Sequence, residues 1–216
     1  MTTLRSTALL MAGATTKKEE LWLACKEKTC CQAPVVIPTG RDVWRIARAM
    51  DAPPWSFLRY FEIQQPRRDA FALDGSGRRF RMALAKGSPR RKTQPSPCIF
   101  LMSTRDGSRR CMLGSLRPLV CRAFPSEMAD GVLCMRPDHG CTCRVWTLAS
   151  VDVDEETALV EARQSDATEY CSVVAGWNDR MAELAPGTYS SFPSYLDFLV
   201  EAYDGLDARS NVGQVP

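Results

Sequence analysis

Two cysteines side by side, Cys30 and Cys31, constrain this chain more than any other feature. Adjacent cysteines rarely bridge each other, because the disulfide geometry is strained in so small a ring. They can ligate one multi-iron cluster, or point apart so that one of them is a ligand. They belong to a set of ten cysteines accompanied by a single histidine, His139. Cys25, Cys30 and Cys31 form a first group, Cys98, Cys111 and Cys121 a second, Cys134, Cys141 and Cys143 a third, and Cys171 stands alone. A long interval separates the first two groups, so a site joining them must be assembled by tertiary folding. Local pairs, as in a zinc finger, do not suffice.

So many cysteines suit either an oxidising compartment with disulfides or a reducing one with thiolate–metal bonds. The N-terminal apolar run Ala8-Leu9-Leu10-Met11-Ala12 is short for a signal-peptide core, and no apolar stretch has the length to span a bilayer. The reading is a cytoplasmic protein, not a membrane protein, with metal thiolates. A net charge of +3 is too small to argue for nucleic acid. Basic pairs crowd the middle of the chain at Arg67-Arg68, Arg78-Arg79, Arg90-Arg91-Lys92 and Arg109-Arg110. They read as solvated loops, or as a rim that attracts an acidic protein partner.

Residues 1–20 read as a flexible leader, 21–150 as a cysteine-cluster metal-binding domain and 151–216 as a helical segment packed on it. Val35-Val36-Ile37 is β-branched and bounded by prolines, as a strand would be. Thr39 and Asp42 can cap a helix through Met50 with Val43, Ile46, Ala47 and Met50 on one face. Asp51-Ala52-Pro53-Pro54 stops it, and a second helix is predicted over Trp55 to Glu62. Apolar segments around Asp74-Gly75-Ser76-Gly77 predict a β-hairpin. From Cys98 to about Trp146 the chain is broken by glycine and proline, as a backbone wrapped around a metal would be. Asp152 and Glu155 can start a long helix carrying Leu159, Tyr170, Val174, Trp177 and Met181. Pro186-Gly187 ends that helix, and a last short one follows over Ser194 to Tyr203. The fold class is α+β and helix-rich, with an irregular cysteine-rich, metal-centred core, a short β-hairpin and a C-terminal helical segment.

The segment Cys25-Lys-Glu-Lys-Thr-Cys30-Cys31 with the helix after it resembles the opening of the YkgJ-like cysteine-cluster family. Cys98-Ile-Phe-Leu, Cys111-Met-Leu and Leu116-Arg-Pro-Leu-Val-Cys-Arg-Ala-Phe-Pro125 are similar to that family's second half. There, a Cys-x-Phe-Leu strand meets a short return strand with another cysteine, followed by Arg-Pro-x-x-Cys-Arg-x-x-Pro. The resemblance covers Leu21 to Pro125, and its Arg-Pro-Leu-Val-Cys-Arg run is its most specific part. It implies a zinc- or iron-chelating domain in which Cys30, Cys31, Cys98, Cys111, Cys121 and Cys25 are ligands. A flagellin lysine methylase with an iron–sulfur cluster is similar to the same family. The family opens on Cys-x-x-Cys-x-x-Cys-Cys, whereas here one cysteine precedes the pair at a wider interval. A later cysteine, Cys134, Cys141 or Cys143, is therefore expected to complete the set.

Zinc takes four ligands in a tetrahedron, usually from two Cys-x-x-Cys knuckles, and this chain has no knuckle and a surplus of thiols. An iron–sulfur cluster, 4Fe-4S above all, tolerates irregular spacing and explains the surplus better; zinc is the alternative. Arg117 and Arg122 flank Cys121 and can offset the cluster's negative charge or instead lock the fold through an ion pair. His139 reads as a turn residue with zinc ligation as its alternative, and Cys171 as core packing inside the long helix. The functional classes are a structural, redox or sensing metalloprotein, a protein-modifying enzyme such as a lysine methylase, and a disulfide-stapled secreted protein.

Overall fold

The computed structural model describes residues 17–25, 28–32, 35–89, 95–136, 146–185 and 187–212. It is helix-rich α+β. Five α-helices, α1 (Lys17–Ala24), α2 (Gly40–Met50), α3 (Leu119–Ala123), α4 (Val153–Ala182) and α5 (Phe192–Val212), accompany three antiparallel strand pairs. These pair β1 (Leu58–Ile63) with β2 (Arg79–Leu84), β3 (Leu101–Ser103) with β4 (Arg109–Cys111), and β5 (Ser126–Ala129) with β6 (Val132–Met135). No described helix is long and apolar enough to cross a membrane.

Local chemistry explains the helices. The Thr39 hydroxyl accepts from the Asp42 amide while the Asp42 carboxylate accepts from the Thr39 amide, a reciprocal cap that satisfies two otherwise orphaned donors. Asp51 ends α2 in the left-handed conformation at φ 47°. Val43, Ile46 and Ala47 are buried as the 3.6-residue period demands, whereas Met50, at the frayed end of that stripe, is exposed. Asp152 caps α4 by accepting from the Glu155 amide. The final helix is much longer than the one predicted over Ser194 to Tyr203: beyond Tyr203, Asp204 accepts from the Trp44 indole at 2.8 Å and Leu206 packs against the core.

The sheet departs from local expectation. Residues 55–62 make a 3-10 turn (Pro54–Ser56) and then strand β1, not a helix. Pairing decides it: Leu58 to Ile63 lie opposite Leu84 to Arg79, and the partner is too remote in sequence for a periodicity count to see. The predicted hairpin survives as one bridge, Phe71 with Phe80, while Asp74 holds the turn by accepting from the Ser76 amide at 2.8 Å. Val35 to Ile37 form no regular strand, although the Val36 carbonyl accepts from the Leu84 amide at 2.9 Å.

One aromatic core joins sheet and helices. Phe71 stacks on Tyr195 with ring centroids 4.0 Å apart, and the Trp177 indole donates to the Ala72 carbonyl at 2.7 Å. Tyr170 and Tyr195 share a buried hydroxyl–hydroxyl hydrogen bond of 2.8 Å. Helix α2 packs against both α4 and α5. Gly40 permits that close approach, since a Cβ there would collide with the Tyr203 ring and come within 2.9 Å of Tyr170 Cδ2. G40A is expected to cost about 1–3 kcal/mol by overpacking, read as a lower urea midpoint with an unchanged slope.

Candidate metal centre

Four pieces of backbone deliver cysteines to one place. Cys30 and Cys31 lie in a 3-10 turn (Thr29–Cys31) after α1, and their Sγ atoms are 3.9 Å apart. Cys98 is tied to that turn by its own amide, which donates to the Cys31 carbonyl at 2.6 Å, and to the end of the large strand pair by a bridge to Lys86. Cys111 ends β4 opposite Leu101, so the β3–β4 hairpin brings it back towards Cys98. Cys121 sits inside α3, whose start is held by Asp42 of α2: the buried carboxylate accepts from the Leu119 amide at 3.0 Å.

These five thiols feel one another. Cys30 raises the pKa of Cys31, Cys98, Cys111 and Cys121, and Cys111 and Cys121 act in turn on Cys31. Burial is the leading cause of the upward shift at Cys98, Cys111 and Cys121, because an apolar site disfavours a thiolate. At Cys31 the leading cause is the hydrogen bond it donates to Cys30, followed by burial. Cys30 alone goes down, to about 7: the hydrogen bond from Cys31 outweighs burial, and Lys28, its own backbone amide and Trp22 add to it. The pair thus favours ionisation of Cys30, with Cys31 as the thiol that donates to it. Lys28 is itself buried, with its ammonium donating to the Trp22 carbonyl and standing 4.0 Å from that ring's centroid. Lys86 similarly favours ionisation of Cys98, and Arg117 that of Cys111.

A cavity of about 130 Å³ lies between Cys30 and Cys121, with Trp22, Arg117 and Arg136 in its wall. Among the described residues, no three His, Cys, Asp or Glu side chains are gathered closely enough to hold a single metal ion. The eight described cysteines are all free thiols.

The remaining expected site residues fall elsewhere or outside the description. Cys25 is buried just past the end of α1. Cys134 is half-buried on β6 opposite Glu127. Cys141, Cys143 and His139 lie outside the described residues. Cys171 is half-buried on α4, beside an open groove, and not in the central core. The two arginines separate. Arg117 pairs with Glu19 at 3.3 Å and stacks over Trp22 at 4.4 Å while still acting on Cys111, so it serves fold and thiols together. Arg122 faces Arg45, Arg117, Asp42 and Glu19 as its main electrostatic neighbours. Lys28, Lys86 and Asp42 are site-forming residues that the cysteine pattern alone does not point to. The available signal for the first was its place two residues before Cys30.

In the metal-free protein, iodoacetamide should label Cys30 with a half-maximal rate near pH 7, well below the pH needed for Cys98 or Cys121. Peptide mapping of the pH series checks this. No family model, no curated protein and no solved structure matches the chain.

Proposed function

We propose that this chain is a metal-binding cysteine-cluster protein that holds an iron–sulfur cluster, 4Fe-4S above all, in a structural, redox or sensing role. The carrying observation is the convergence of Cys30, Cys31, Cys98, Cys111 and Cys121 from four separate segments into mutual electrostatic contact. Burial disfavours ionisation of Cys98, Cys111 and Cys121, so gathering these groups as thiolates costs free energy unless a metal binds that form. The donor chemistry fits a thiolate-bound iron cluster, since soft sulfur ligands of irregular spacing are what such clusters take. The motif resemblance to the YkgJ-like family points to these five cysteines and to Cys25. A cluster would supply electron transfer or oxidant sensitivity. The chain's own part is to hold the thiolates, to set Lys28, Lys86 and Arg117 against their charge, and to keep water from them.

Zinc remains the second reading on one specific observation. The 3.9 Å separation of the Cys30 and Cys31 sulfurs is close to the edge of a zinc–thiolate tetrahedron, about 3.8 Å from Zn–S bonds of 2.3 Å. A reducing, cytoplasmic setting follows for either metal. Cys25, Cys134 and Cys141 are the further candidates for a completing ligand.

Anaerobic purification, an absorbance spectrum and metal analysis decide between the two. A brown protein absorbing near roughly 400 nm, with iron and acid-labile sulfide in equal amounts, is the expected result. A colourless protein with stoichiometric zinc selects the second reading, and the absence of both metals overturns the proposal. C121S should lose the metal and lower the thermal midpoint, whereas C171S should retain both.

A further inference from the structure

Next to the thiol cavity, and sharing Trp22, Arg117, Cys121 and Phe124 with it, lies a second, larger cavity of about 390 Å³ lined by α1, α3 and the first turns of α4. Trp22, Phe124, Trp146 and Leu159 give it apolar walls, and room enough for a ligand the size of an amino acid. Its charges are six, and four of them are already matched. Lys18 and Glu156 form a buried pair at 2.5 Å, with the Ser126 hydroxyl also donating to Glu156, and Arg117 is paired with Glu19. Two are left over. Among the described residues the half-buried Arg122 guanidinium has no hydrogen-bond or ion-pair partner, and neither has the Glu155 carboxylate, which stands exposed at the cavity's mouth.

An unmatched cation held partly out of water is costly, and its neighbours Arg45 and Arg117 make that worse. A ligand carboxylate would relieve it through the planar two-pronged contact that a guanidinium offers. Glu155 forms no ion pair with it and is not among the charges that act on it. A ligand that satisfies both leftover groups carries an anion at one end, a cation at the other and an apolar body between the aromatic walls. We propose that this cavity is a binding site for a zwitterionic α-amino acid with an apolar side chain, its carboxylate on Arg122 and its ammonium towards Glu155. Cys121 belongs to the walls of both cavities, so the ligand would lie against the thiol assembly. The assignment does not depend on which metal, if any, those thiols hold.

Calorimetric titration of the full chain with four probes tests this. L-phenylalanine and L-leucine carry both charges, phenylacetate lacks the ammonium, and phenethylamine lacks the carboxylate. At least one amino acid should bind roughly tenfold or more tighter than either single-charge probe, the size expected for a charge-assisted contact. R122Q should abolish the advantage of L-phenylalanine over phenethylamine while R122K keeps part of it. E155Q should abolish the advantage over phenylacetate. Both glutamine variants should keep the thermal midpoint and thiol or metal content of the parent. If neither amino acid binds, the proposal falls. Equal affinity for all four probes, or a selectivity unchanged in R122Q with the fold intact, overturns it as well.

Discussion

The buried carboxylate of Asp42 joins the scaffold to the site. One of its oxygens closes the N-terminal cap of α2 by accepting from Thr39, and the other accepts from the Leu119 amide at the start of α3. Arg45, one turn on, pairs with the same carboxylate and donates to the Arg117 carbonyl at 3.2 Å. Helix α3 is only five residues long and makes no side-chain cap of its own, so this outside acceptor is what satisfies its first amide. Removing it would leave a buried donor unpaired, at about 1–3 kcal/mol, and would release the helix that aims Cys121. The aromatic core fixes α2 through Gly40 and the two tyrosines beside it, and α2 in turn fixes the thiol segment. Burial pushes the Asp42 carboxyl up, against the hydrogen bonds from Leu119 and Thr39 that favour its ionised form.

The electrostatics of the thiols follow from that rigid placement. Four of the five thiols resist ionisation, and the fold answers with cations fixed by other contacts. Lys28 is anchored on Trp22, Lys86 donates to the Gln32 carbonyl at 3.3 Å, and Arg117 is clamped between Glu19 and Trp22. A cation whose position is set independently of its anion loses little entropy when the anion forms. Only one thiol is poised to ionise first, and it is Cys30, the member that the other four all sense.

Features encoded by neighbours along the chain were readable in the sequence, and those encoded by distant partners were not. The Thr39–Asp42 cap and the Asp152 cap are contacts between residues three apart, and both appear where the residues predict them. Strand β1 was not readable, because Leu58 to Ile63 carry enough apolar residues for either period and their partner lies beyond Phe71. The part of α5 past Tyr203 is not legible because what holds it, the Trp44 indole on Asp204 and the core beneath Leu206, comes from distant segments. For the site, the motifs around Cys30-Cys31, Cys98, Cys111 and Cys121 identify the cysteines that come together. Their supporting cations could not be ranked from sequence, since Lys28 and Lys86 differ from the chain's other basic residues only in what they touch.

Arg117 and Arg122 show why spacing alone could not divide their labour. They flank Cys121 on either side in sequence, and both could be assigned to the charge of a thiolate cluster. Position on a short helix separates them. Arg117 precedes α3 at its cap, where its backbone receives Arg45 and its side chain folds back over Trp22 towards the thiols. Arg122 lies in the last turn of α3, near the carboxyl end of the helix, which favours a cation. That end lines the larger cavity between α1 and α4, whose wall also holds Arg117. One short helix with Cys121 in its middle thus puts that thiol in the walls of both cavities and an unmatched guanidinium in the wall of the larger one. Any ligand drawn to Arg122 comes to rest one residue from the site's own cysteine.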